Sequence, residues 1–293
     1  MESPLASKDS ADSGPAAPYL TYRMDLAYIG TAFQGWQSQP GGQTVQDALE
    51  KALRTVLRQE DLRIMGASRT DTGVHAEHQV ATFRVPAAIP CESILRSLQA
   101  LVPPTIGVLN LRPWSNDFHP IGSAKSKVYR YRIWLGTPQN PFARPYVWSL
   151  HYALDTAALQ EAARHFLGRH DFRSFCASDA SVVTYDRTIF DVRWVQRGPL
   201  LEFYILGDGF LKQMVRSLVG TLVNVGLGKQ RPDDIKNILQ AQDRRQAGQT
   251  APAHGLSLLR IFYDVMETIP ESLISSGSEF GFALLPPQAS NGV

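Results

Sequence analysis

At 293 residues, 44% hydrophobic and 19% charged, the chain has the make-up of a folded globular protein, one large domain or two subdomains around an ample core. No apolar run approaches the roughly 20 residues of a membrane-spanning helix, which excludes a helical membrane protein. A net charge of +2 declares no nucleic-acid partner by itself, so any RNA site must come from local clustering of the 29 lysines and arginines.

Residues 1–18 are rich in Ser, Pro and Ala and lack an apolar h-region. A disordered tail and a cytoplasmic protein are expected, not a secretion signal. A first α+β unit is then expected over residues 19–115. Residues 22–29 alternate, with Tyr22, Met24, Leu26 and Tyr28 on one face, and read as a half-buried strand. The loop after Gly30 is oddly aromatic, with Phe33 and Trp36 available to cap the core edge. Thr44 offers an N-cap to a helix whose apolar stripe runs from Val45 to Leu57. A strand over 80–85 follows, then a helix carrying Ile94, Leu95, Leu98 and Leu101 that stops before Pro103-Pro104, and a strand over 108–114.

A second α+β unit is expected over 116–265. Residues 127–133 alternate, Tyr129, Tyr131 and Ile133 on one face and Arg130 and Arg132 on the other. Asp155 caps a helix with Leu159, Ala162, Ala163 and Phe166 inward and Gly168 as its C-cap. Strands are expected over 189–195 and 201–206, a short helix over 233–239 and a last strand over 258–265, with residues 266–293 a loose tail. Between them lies an apolar helix built on Met214, Val215, Leu218, Val219, Leu222 and Val223, with Arg216 in its narrow polar strip. An arginine there must either pair with a carboxylate or snorkel along its own stem. Cys91 and Cys176 stand far apart, outside any metal-ligand spacing, so reduced packing residues are expected and no metal site.

The densest polar stretch is Gly66-Ala67-Ser68-Arg69-Thr70-Asp71-Thr72-Gly73-Val74-His75-Ala76. Arg69 and Asp71, two apart, project to the same side of an extended segment. Asp71-Thr72-Gly73 is ordinary turn chemistry, and also the aspartic-protease tripeptide. That second chemistry needs two carboxylates sharing a proton, which a neighbouring arginine opposes.

Arg69-Thr70-Asp71-x-Gly73-Val74-His75-Ala76 resembles the signature of the TruA-type tRNA pseudouridine synthases, and the resemblance runs over residues 22–263. Phe33-Gln34-Gly35-Trp36-Gln37, Phe118-His119 through Ala124, His170-Asp171-Phe172-x-Ser174-Phe175, Met214-Val215-Arg216-x-x-Val219-Gly220 and Ala253-His254-Gly255-Leu256 agree with the same family. The sequence departs at Ile121-Gly122, where the family commonly has Arg then Phe. The resemblance implies two related α+β halves sharing one central, mostly antiparallel sheet flanked by helices. It implies Asp71 as nucleophile, Arg216 paired with it, Arg69 helping to replace the displaced base and Tyr129 stacked on the target. Phe33, Trp36, His75 and Leu256 are the expected substrate-side residues, with Lys125, Lys127 and Lys212 on phosphates. No cofactor is implied. The partners are tRNA and a second copy of the chain, and the substrates uridines of the anticodon stem-loop, at tRNA positions 38 to 40. A catalytically inactive or retargeted RNA-binding paralogue is the alternative, and an aspartic hydrolase on Asp71-Thr72-Gly73 a more distant one.

Isomerising uridine breaks an N-glycosidic bond and forms a C–C bond to the same ribose, without redox change. A carboxylate can drive this as a nucleophile, toward C1′ or toward the ring. It must be ionised, and a guanidinium beside it favours that state and fixes its direction. Arg69 and Arg216 are the two candidates.

Overall fold

The computed structural model describes residues 19–136, 140–180 and 182–275, and the tails expected over 1–18 and beyond 275 lie outside the described residues. Among the described residues ten strands form one sheet: β1 (Leu20–Tyr28), β2 (Met65–Gly66), β3 (His75–Val85), β4 (Ile106–Trp114), β5 (Ser126–Leu135), β6 (Trp148–Leu150), β7 (Gly168–Asp171), β8 (Asp186–Arg197), β9 (Leu200–Gly207) and β10 (Leu256–Phe262). The helices are α1 (Val45–Leu57), α2 (Cys91–Leu101), α3 (Thr156–Arg164), α4 (Met214–Gly226), α5 (Asp234–Ala241) and α6 (Glu271–Ser275). Among the described residues no helix is long and apolar enough to cross a membrane.

The sheet order β4-β1-β3-β10-β5-β9-β8-β7 explains how one sheet joins the two halves of the chain. β1, β3 and β4 pair antiparallel, as do β10, β5, β9, β8 and β7. The seam is the short parallel contact of β10 with β3, where Ser257 pairs with His75 and Leu258 with Ala76. The last strand is thus inserted between the halves instead of added at an edge. The helices α1 and α4 bury their stripes on one face, Leu49 and Leu53 of α1 and Leu218 and Leu222 of α4 being fully enclosed. Thr44 and Asp155 cap α1 and α3 as their side chains predict, accepting from Asp47 N–H and Ala158 N–H.

Four expectations are corrected. β1 is buried on both faces, because Arg23 and Asp25 on the reverse side pair at 2.9 Å and the Arg23 guanidinium lies over Trp114 and Tyr263. β3 begins at His75 and not at residue 80, since Tyr28 of β1 and Ser257 of β10 give its first residues partners. Gly168 opens β7 instead of capping α3, whose last turn closes at His165. Residues 266–275 are packed and not loose: Ile269 and Ile274 sit against Val128, Tyr204 and Leu206 on the sheet's reverse face. Arg193 to Glu271 and Arg197 to the Ile274 carbonyl tie this segment down.

Candidate active site

The polar stretch before β3 is held from below by its own chain. Ala67 N–H donates to the Val80 carbonyl at 2.8 Å, and the Gln79 amide clamps Ser68 at both ends, donating to its carbonyl at 2.6 Å and accepting its N–H at 3.2 Å. Tyr28 and Thr70 share a hydroxyl hydrogen bond of 2.9 Å. Ser68 and Thr70 therefore face the protein, and Arg69 and Asp71, offset by one residue, face out, the period of an extended segment.

The aromatic loop is a foundation under this stretch. Trp36 N–H donates to the Thr70 carbonyl at 3.1 Å, and the Trp36 ring lies so close over Gly66 that a Cβ there would meet its Cε2 at 2.3 Å. Gly35 has φ +86, and a Cβ on it would approach the Thr70 carbonyl oxygen to 2.7 Å. Phe33 accepts from Gly73 N–H through its carbonyl and is buried. Trp36 lines the cleft from underneath; Phe33 is not among its lining residues.

Above the stretch lies a cleft of about 880 Å³ at the seam between the halves, room enough for a nucleoside with its phosphate. Asp71 Oδ2 accepts from Arg216 NH1 at 3.2 Å, while Arg216 Nε donates to the Ala251 carbonyl at 2.8 Å. Arg216 stands in the first turn of α4, so the apolar helix delivers a guanidinium whose orientation a backbone carbonyl fixes. Arg69 is exposed in the cleft wall and makes no hydrogen bond or ion pair among the described residues. Of the two candidate arginines, Arg216 pairs with Asp71.

Tyr129, on β5, is buried with its hydroxyl 3.0 Å from Ser68 Oγ and its ring edge-on to Phe210, centroids 5.1 Å apart. Burial pushes its hydroxyl up to about 12, so it is a neutral phenol at pH 7. Leu256 closes the same wall. Lys127 lies inside the cleft and donates to the Ala67 carbonyl at 2.9 Å. Lys212 also lines it, exposed, with its charge against Asp179 at 2.7 Å. Lys125 is exposed and outside the cleft lining. Ile121 lines the cleft, where the expected motif has an arginine, and brings no charge.

His75 does not reach the cleft. Its Nδ1 accepts Gly30 N–H at 3.1 Å and its Nε2 lies 3.0 Å from the His254 carbonyl, so it is a neutral Nε2–H ring tying the two halves together. Burial pushes it down to about 4. Its expected place among substrate-side residues is not where the fold puts it: both ring nitrogens are occupied by backbone.

Sequence reading missed Ser68 and Gln79 as supports and Arg187, Phe210 and Asp179 as lining. Gln79 carried a signal, a lone amide inside an apolar strand. Arg187 carried none. The Asp-x-Gly tripeptide recurs as Asp12-Ser13-Gly14, outside the described residues, but the group beside Asp71 is a guanidinium and not the second carboxylate of a protease.

Residues 26–120 and 162–264 match a family model described as tRNA pseudouridine synthase. A protein of Bacillus subtilis (strain 168) named tRNA pseudouridine synthase A is 42% identical over 246 residues, covering 84% of this chain and all of that protein. One of the same name from Geobacillus kaustophilus (strain HTA426) is 42% identical over 239 residues, 82% of this chain and 93% of its own. Among solved structures a Cbf5-Nop10-Gar1 complex overlaps loosely, with a TM-score of 0.35 at 10% identity, over 81% of this chain and 48% of that one. The match of the family model over both halves, and relatives aligned across nearly their full length, lead to one conclusion: the chain belongs to the tRNA pseudouridine synthase family.

Proposed function

We propose that the protein isomerises uridine to pseudouridine in tRNA, with Asp71 as the nucleophile. The observation that carries this is an aspartate at the base of a nucleoside-sized cleft, oriented by Arg216 through a guanidinium that is itself fixed to a backbone carbonyl. A single donor directs the carboxylate and leaves most of its lone pairs for a substrate. Attack on C1′ forms an ester with Asp71 and expels uracil through N1, whereas attack on the ring forms an adduct from which the N1–C1′ bond breaks; in either case the bond to Asp71 breaks again as the product forms, which returns the free carboxylate. The freed uracil then turns within the cleft, C5 bonds to C1′, and the proton on C5 leaves as N1 takes one up.

A stem uridine must first leave its stack, at a cost of a few kcal/mol. Tyr129, edge-packed on Phe210, offers the face on which it rests. A phenol pushed up to about 12 keeps its proton near neutrality and is not free to accept another, so its position supports stacking better than removal of the C5 proton. Arg69, exposed and unpaired in the cleft wall, is suited to fill the gap left by the extruded base. Lys125 and Lys212 serve phosphates farther out, Lys212 by exchanging Asp179 for RNA.

The substrate is the anticodon stem-loop of whole tRNAs, recognised by shape and phosphate, by a cytoplasmic homodimer. The low net charge fits that use if lysines and arginines of two copies line one groove. An RNA-binding protein without catalysis is disfavoured because Asp71, Arg69, Tyr129 and Arg216 all line one cleft.

The test is tritium release from C5-labelled uridine in tRNA, with mass spectrometry of the product to place the modified residue. Release with pseudouridine in the anticodon arm is expected. No release by the wild-type dimer from any tRNA would sink the reading, and a monomer in light scattering would remove the composite groove.

A further inference from the structure

Among the described residues Lys127 has no carboxylate partner. Its Nζ donates to the Ala67 carbonyl at 2.9 Å, and among the described residues the remaining two ammonium protons have no partner. A partly buried ammonium in that position is costly, and the charge whose field bears on it is that of another cation, Arg187. The topology brings the two together: Lys127 is opposite Gly207 on β9, Gly207 is opposite Ile189 on β8, and Arg187 stands two residues before Ile189. Arg187 is anchored, its NH1 donating to the Thr184 and Asp186 carbonyls and its Nε lying 3.5 Å from where a Cβ on Gly209 would be. Both side chains line the cleft that holds Asp71.

Two like charges converging in one wall, neither compensated by a carboxylate, mark a place built for an anion from outside. We propose that Lys127 and Arg187 seat the phosphodiester group adjoining the target nucleotide, so that the ribose is registered over Asp71 once the base has been extruded. This rests on the tRNA isomerase reading above. It assigns Lys127, expected on sequence grounds among general backbone contacts, to one particular phosphate, and brings in Arg187 as its partner. Both are positioning residues, acting on the reaction through the phosphate they hold.

A pH dependence accompanies it. Burial, with Arg187 second, lowers the Lys127 ammonium to about 8. The other charged groups of the cleft lining are Arg69, Asp71, Asp179, Lys212 and Arg216, and Tyr129, up near 12, stays silent to pH 9. The anion needs the cation. Affinity is therefore level below about pH 8 and declines above it as the ammonium loses its proton. Lys127→Arg removes that decline, and because substrate titration is common to both proteins, their ratio isolates the lysine.

The decisive experiment measures tRNA affinity and single-turnover rate with the linkages around the target uridine replaced, one at a time, by neutral methylphosphonate. Lys127→Gln and Arg187→Gln are each expected to weaken wild-type binding about tenfold, with Lys127→Arg restoring most of it at pH 7. Gln can still donate to Ala67, which keeps the local fold. A neutral linkage on one side of the target should weaken the wild type by a similar factor, yet weaken the double Gln variant less than about twofold. Equal losses from every neutral linkage in wild type and double variant overturn the proposal, as does unchanged affinity in both single variants. Should wild-type protein make no pseudouridine on unmodified tRNA, the isomerase reading fails, which the unmodified control reports separately from the linkage comparison.

Discussion

Glu50 and Asp71 are both carboxylates with arginine against them, and they differ in what is left over. Glu50 on α1 is almost fully enclosed, and its oxygens accept from Arg54 at 2.7 Å, Arg63 and Gln46 at 2.9 Å each and Ile64 N–H at 3.1 Å. Four donors meet the four lone-pair positions of a carboxylate. Asp71, 22% exposed, has among the described residues one side-chain donor, Arg216 at 3.2 Å. Pairing with arginine therefore does not separate the two acids; what separates them is that Asp71 is paired once and lies in a cleft, which suits the role proposed for it. Glu50 holds α1 to the segment leading into β2, and Asp71 is held by the fold without being used up by it.

The largest effect that can break this comparison is on rate. Asp71→Asn is expected to lower single-turnover tritium release roughly 10⁴-fold or more while binding tRNA and melting near the wild type. Turnover that persists once deamidation is excluded would make Asp71 another structural acid. Arg216→Met should cost about 10²–10³ in rate, the scale of losing one preorganised charged group. Because the Ala251 carbonyl also loses its donor, this variant should unfold about 1–3 kcal/mol more easily. Activity within tenfold of wild type would show that Asp71 needs no guanidinium.

Glu50→Gln should do the reverse. It breaks a saturated site and is expected to lower stability by about 2–3 kcal/mol in denaturant, leaving kcat within about twofold at temperatures where the protein is folded. A rate loss exceeding the stability loss would erase the distinction. The signature segment contains its own structural member in His75, which allows a test by pH. Its folded value of about 4 lies below the ordinary 6.5, so the unfolded chain takes up the proton first. The stability it supports is complete above pH 6.5 and is lost as pH falls toward 4, on the order of 3 kcal/mol. His78, also near 4 through burial, adds to the same slope, and His75→Asn should remove only its own part in urea titrations at successive pH values. The smallest effect is expected for Ser68→Ala, which strips the Tyr129 hydroxyl of its partner. A loss of a few-fold in rate with unchanged tRNA affinity is anticipated, and a larger one would give that hydroxyl a chemical role.

Much of the local structure was legible. Thr44 and Asp155 announced the caps of α1 and α3, and the stripes Val45 to Leu57 and Met214 to Val223 announced helices, because capping and a 3.6-residue period are properties of neighbouring residues. Strand limits were less so. β3 gains its first residues from partners in β1 and β10, and β10 itself lies across a seam invisible in its own alternation. The C-terminal segment read as loose because its polarity is high, yet Ile269 and Ile274 have a hydrophobic patch waiting on the sheet's reverse face.

The site divides in the same way. The chemical kit is written in the chain: Asp71 with Arg69 in one extended stretch, Arg216 stranded in an apolar helix where a carboxylate is the natural remedy, and Tyr129 alternating on its strand. Folding settles which arginine takes Asp71, that His75 ties backbone to backbone, that Trp36 underlies the stretch, and that Lys127 and Arg187 share a wall. The reason is separation along the chain. Caps and periods act within a few residues, whereas Arg216 reaches Asp71 across 145 positions, and a contact at that range exists only once β10 has drawn the two halves of the sheet together.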